Sequence, residues 1–150
     1  MSFINDIRKM QIEKMNVEED VITEIVKYFE SKYNTEEYED YLKSKIEKQI
    51  KESRRTLTLN VEFWEYHSGC STTHIEGGGI TFNIPYSEEY SKNLYYKGVR
   101  LEEVQHDICD RVSNVLLKKL KELGLTIVSV TRHDGEYRFD YHKETIVISW

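Results

Sequence analysis

Apolar positions recur every three or four residues through the first third of the chain, then change to strict alternation at Thr56. The first pattern predicts amphipathic helices and the second a strand with one wet face. Phe3, Ile4, Ile7, Met10, Gln11 and Met15 mark one helical stripe. Asn16, with Glu19 three residues on, has the form of a capping box and predicts a second helix. Its buried face would be Val21, Ile22, Ile25, Val26 and Phe29. Residues 1–34 are therefore expected to form an N-terminal helical hairpin packed on the rest. Thr35 caps a third helix with the stripe Tyr38, Tyr41, Leu42, Ile46 and Ile50.

Leu57, Leu59, Val61 and Phe63 then alternate with Thr58, Asn60, Glu62 and Trp64. A polar loop is expected from His67 to Gly79, a short strand over Ile80 to Ile84, and a short helix from Ser87 to Tyr96. The clearest helix spans residues 100–123, with Leu101, Val104, Ile108, Val112, Val115, Leu116 and Leu123 on one face. Gly124 followed by Leu125 supplies the left-handed stop and its apolar partner. Leu125 to Thr131 is β-branched and reads as a buried strand. Asp134-Gly135 marks a hairpin turn, and Tyr137 to Tyr141 and Thr145 to Ser149 make either one bent strand or two separated by His142-Lys143-Glu144.

The segment Ile46 to Glu52 leads into Leu57 to Val61 much as Leu116 to Glu122 leads into Leu125 to Ser129. Both halves read helix, strand, turn, strand. The expected fold is one α+β domain over residues 1–150. In it, N-terminal helices precede two helix–β-hairpin units that form one antiparallel sheet with the helices on one face.

Composition narrows the class. The chain has 150 residues, 21 Lys+Arg against 27 Asp+Glu, and a net charge of −6. That length buries a core without a staple, and two Cys are too few for a disulfide scaffold. The acidity argues against direct nucleic-acid binding, and no apolar run approaches a membrane span. A cytoplasmic location is expected, since the N-terminus lacks the apolar core of an export signal. Eleven Tyr suit half-buried surfaces, either in a small core or at a contact surface.

The candidate chemistry is sparse. His67 with Cys70, and His106 with Cys109, are two pairs three residues apart that could supply a tetrahedral zinc site, although coincidence and a buried structural thiol explain them as well. Cys70 with His67 or His74 could make a nucleophile–base pair, but no residue is placed to orient the base. Gly77-Gly78-Gly79 lacks the Lys and Ser/Thr of a phosphate loop. Arg132, His133, Asp134, Arg138, Asp140 and His142 in one hairpin could bind an anion or simply solvate a sheet edge. The acidic clusters at residues 18–20, 36–40, 88–89 and 102–103 each stand near a helix start, where the dipole favours them.

No set assembles a nucleophile, a base and an orienting group. The expectation is a non-enzymatic protein-interaction module, a small acidic regulator or inhibitor of the kind phages and mobile elements encode, without catalytic residues, cofactor or metal. It would bind a larger protein with a basic surface, such as a nucleic-acid-binding one. The contact residues expected are Glu36, Glu37, Glu39, Asp40, Trp64, Tyr66, His67 and His74. A homodimer is compatible with this reading. The alternatives are a ligand-binding or enzymatic domain using the 67–79 loop, and a domain stabilised by zinc at His67, Cys70, His106 and Cys109.

Overall fold

The computed structural model describes residues 2–64, 73–84, 95–134 and 142–150. Among these residues the order is α1 (Phe3–Tyr33), α2 (Glu36–Lys51), β1 (Thr56–Trp64), β2 (Thr73–Gly77), β3 (Ile80–Ile84), β4 (Tyr95–Tyr96), β5 (Val99–Arg100), α3 (Leu101–Glu122), β6 (Thr126–Asp134) and β7 (His142–Ser149). The class is α+β.

The N-terminal region departs from expectation. Residues 3–33 form one continuous helix, not two helices folded as a hairpin. Its cap is Ser2, whose hydroxyl accepts the Asn5 N–H at 3.2 Å. Asn16 costs a helix interior only about 0.6 kcal/mol relative to Ala, and no Gly or Pro stands in the stretch to break it. Thr35 caps α2 as its sequence predicts, accepting the Tyr38 N–H at 3.2 Å.

Both long-predicted helix ends close in the same way. At α3, Leu125 N–H donates to Leu120 O at 3.1 Å and Gly124 N–H to Lys121 O at 3.0 Å, with Gly124 at φ 83°. At α2, Arg54 N–H donates to Gln49 O at 2.8 Å and Ser53 N–H to Ile50 O at 3.0 Å. Both are Schellman stops, but the second places Ser53 at φ 61° where glycine is the comfortable residue.

Five strands form one antiparallel sheet in the order β3-β2-β1-β7-β6. The helix α2 is thus followed by the three-stranded meander β1-β2-β3 and α3 by the hairpin β6-β7, and the two units lie side by side with β1 of the first against β7 of the second. The helix face of the sheet follows from register. Leu57 pairs Ile148, Leu59 pairs Ile146 and Val61 pairs Glu144, and all six are buried. Val21, Ile22, Ile25 and Phe29 of α1, Leu42 of α2, and Ile108, Val112, Leu116 and Leu120 of α3 close the core over them.

Four further expectations are corrected. Thr73–Gly77, read as loop, is a strand paired with both neighbours. Tyr95–Tyr96, read as the end of a helix, forms a small hairpin with β5, and the rest of that segment (87–94) lies outside the described residues. β6 is an edge strand, not a buried one, with Val128 and Val130 exposed and a bulge between Ile127 and Ser129. His142, Lys143 and Glu144 belong to β7 and do not interrupt it; Gly135 and Tyr137 to Tyr141 lie outside the described residues.

The glycine triplet is a packing device. Gly78 and Gly79 form the two-residue turn between β2 and β3, at φ 56° and 98°. Tyr33 donates its hydroxyl to Gly77 O at 2.9 Å and Tyr38 to Gly78 O at 2.8 Å, while Gly78 N–H donates to Asn60 O at 2.8 Å. A Cβ on Gly79 would lie 2.4 Å from the Tyr41 ring. Neighbouring rings run on from this turn: Tyr41, Tyr38, Tyr33, Phe29, Tyr28, Phe82 and Tyr96, each 4.9 to 6.1 Å from the next. Much of the tyrosine content is therefore spent inside the fold.

Candidate functional site

Alternation along β7 puts His142, Glu144, Ile146 and Ile148 on one buried face. The two isoleucines meet the core as expected. The other two positions carry ionisable groups, and α3 answers them with polar residues of its own. Asp110 and Ser113 lie one turn apart on that helix, and His106 stands four residues before Asp110. From the edge strand, Arg132 reaches under α3, since its register partner is Glu144.

The geometry is close. Arg132 Nη2 donates to Asp110 Oδ1, and its Nε lies 3.9 Å from Glu144 Oε1. Ser113 Oγ donates to Glu144 Oε2 at 2.5 Å. His142 Nε2 is 3.5 Å from Asp110 Oδ1 and 3.9 Å from Glu144 Oε2. The His106 and His142 rings are 4.5 Å apart. Ligand atoms of Asp110, His142 and Glu144 all fall within 4.8 Å of one another.

Electrostatics separates the two carboxyls. Burial alone would raise Asp110, but the Arg132 guanidinium and a hydrogen bond with Glu144 together outweigh it and hold the carboxyl below its ordinary value. Burial raises Glu144, and the Ser113 hydroxyl only partly offsets that. One acid is thus stabilised as the anion and its neighbour is biased toward the proton. Cys109, next to Asp110, is buried and its thiol is pushed up by burial, which suits a small core residue and not a nucleophile.

The residues singled out from sequence scatter. Glu36, Glu37, Glu39 and Asp40 occupy the first turns of α2, and Glu39 is held by Lys119 at 3.2 Å. His74 sits on β2 opposite Trp64 of β1. Tyr66, His67 and Cys70 lie outside the described residues, as do Glu88, Glu89, Arg138 and Asp140. Of the proposed zinc set, His106 enters the polar cluster. Of the C-terminal hairpin, Arg132 and His142 enter it, while His133 pairs with Lys143 on the opposite face of the sheet. Asp110, Ser113 and Glu144 were missed. Their signal was present as polar residues at the buried parity of β7 and at i, i+4 spacing on the best-defined helix.

Among the described acids, Glu18, Glu19 and Glu103 have cationic partners. Arg111 grips Glu19 with both guanidinium nitrogens, at 2.6 and 2.9 Å, and Lys14 stands 3.6 Å from Glu18 and 3.3 Å from Glu103.

A second feature lies at the N-terminal end of the chain. The first half of α1 exposes Phe3 (77%), Ile4, Ile7 (39%), Met10 (61%), Ile12, Met15 and Val17. Among the described residues no helix is long and apolar enough to cross a membrane. No protein-family model matches the chain, nor does any curated protein or solved structure.

Proposed function

We propose that the chain is a non-catalytic protein-interaction module, a small regulator or inhibitor whose ligand helix is the first half of α1. The observation that carries this reading is the exposed apolar row Phe3, Ile7 and Met10. That i, i+4, i+7 spacing is how a helix presents anchors to an apolar groove. Single exposed apolar residues need no explanation, but Phe3, Ile7, Met10 and Val17 fall on one side of the helix and make a row. An unsupported helix of this length is marginal in water, so a partner that buries the row also stabilises the helix.

The occupant proposed is an apolar groove on a larger protein. Residues 3–17 carry Arg8, Lys9 and Lys14 against Asp6 and Glu13, so this stretch does not share the acidity of the whole chain. The exposed acids Glu36, Glu37 and Asp40 begin beyond the opposite end of α1, about 45 Å away at 1.5 Å per residue. A basic partner surface at those acids would be a separate contact, and the apolar one comes first.

The test is a photo-crosslinking amino acid placed at Met10, with the exposed Lys118 of α3 as control, in the native host lysate. One adduct of defined mass at Met10, resistant to high salt and lost in a Phe3→Glu/Ile7→Glu variant of unchanged circular dichroism, is expected. Equal labelling from both positions overturns the reading. So does an adduct of twice the chain mass, which would make the row a homodimer seam.

A further inference from the structure

We propose that Asp110, His142 and Glu144 bind one divalent cation of the zinc class as its three protein ligands. This site is independent of the interaction surface on α1.

Three observations lead here. First, the donor set is right in kind: two carboxylates and an imidazole. Second, the spacing is right. Two ligands each about 2.1 Å from a tetrahedral zinc ion lie roughly 3.4 Å apart. His142 Nε2 stands 3.5 Å from Asp110 Oδ1 and 3.9 Å from Glu144 Oε2, so small side-chain rotations bring all three to a common centre. Third, the placement is costly without a ligand. These groups take positions on the helix–sheet interface that Ile146 and Ile148 fill with hydrocarbon two and four residues further on. Burying ionisable groups where apolar ones would pack commonly lowers stability. The scaffold is rigid, because α3 presents Asp110 and β7 presents His142 and Glu144 on one face.

Arg132 is the competitor. It holds Asp110 through Oδ1, the oxygen that also faces His142, and it approaches Glu144. Its side chain is 48% exposed on an edge strand, so it is free to swing into solvent when a cation takes its place. The arginine compensates the Asp110 carboxylate in the absence of metal and weakens the affinity for it.

Zinc titrated calorimetrically into the metal-stripped full chain should bind at one equivalent. Cobalt(II) in its place should give the visible absorption of a tetrahedral N/O site. Asp110→Asn and Glu144→Gln should each weaken binding at least tenfold, roughly the scale on which metal sites respond to lost support. Arg132→Gln should tighten binding, and Cys70→Ser should leave it unchanged. Asp110 lies at the edge of the cluster with its side chain 36% exposed, so its variant serves as the folded control. Zinc should raise the thermal midpoint of the wild type and not that of Asp110→Asn. Absence of saturable binding overturns the proposal. So does binding that survives Asp110→Asn but not Cys70→Ser, or an Arg132→Gln variant that binds no more tightly.

Discussion

At the scale of residues, two glycines with the same backbone sign have different reasons to be glycine. Gly78 has φ 56°, and a Cβ there would meet Leu116 Cδ2 at 2.7 Å and the Tyr38 hydroxyl at 2.8 Å. Gly98 has φ 81° with nothing within 4 Å of such a Cβ. Gly98→Ala therefore costs only the left-handed penalty, about 1 kcal/mol. Gly78→Ala adds overpacking against a closed core and should cost about 3 kcal/mol. Chemical denaturation of the two variants should separate them by roughly 2 kcal/mol, on the same two sums. Equal losses would mean that the tyrosine contacts yield without cost. This role was hidden in the sequence. Three consecutive glycines beside Thr, His and Glu look like a mobile polar loop, because the phenols that pack on them come from residues some forty positions earlier.

At the scale of elements, local chemistry was readable where it was self-contained. Gly124-Leu125 announces the end of α3, because a Schellman stop needs only its own turn. Thr35 announces the start of α2 for the same reason. Asn16 misled, since a capping residue within a helix costs little when the flanking sequence is helical throughout. The end of α2 shows the reverse case, a stop without its glycine. Ser53 takes φ 61° and its N–H bonds to Ile50 O just as Gly124 bonds to Lys121 O. Ser53→Gly should therefore raise stability by about 0.5–1 kcal/mol, measured by urea denaturation. A loss would show that the serine side chain has a role that its backbone geometry does not reveal. The edge strand β6 was misread because β-branched composition reports strand propensity and not sheet position.

At the scale of the whole molecule, α1 is tied to parts of the chain far from it in sequence. Glu24 accepts Lys97 Nζ at 2.8 and 2.9 Å and the Tyr96 hydroxyl at 2.9 Å, clasping the β4–β5 hairpin to the helix. Lys97 holds the Glu24 carboxyl below its ordinary value of 4.5, against the opposing effect of burial. A carboxyl depressed in the folded state contributes stability that is present above the unfolded pKa and is lost as pH falls through the folded one. The thermal midpoint of the wild type should thus fall more steeply below about pH 4.5 than that of Glu24→Gln. Parallel curves would mean that the clasp is too solvated to matter. The general architecture was legible, because two helix-to-strand joints repeat in the sequence and each supplies a hairpin. The polar cluster was not, because it draws on α3, β6 and β7 at once. Only the sheet register reveals that Arg132 and Glu144 share one face, and only helix packing brings Asp110 to them.

The sheet order has a kinetic consequence. β1–β2, β2–β3 and β6–β7 each join strands that follow one another in the chain, whereas β1–β7, at the middle of the sheet, joins Thr56 to Ser149. Closing that loop costs more chain entropy than closing any hairpin, and long-range pairings slow folding. The two helix–hairpin halves should assemble first and meet late. Substitutions across the central seam, at Leu59 or Ile146, should then alter how long the protein holds together more than how quickly it forms.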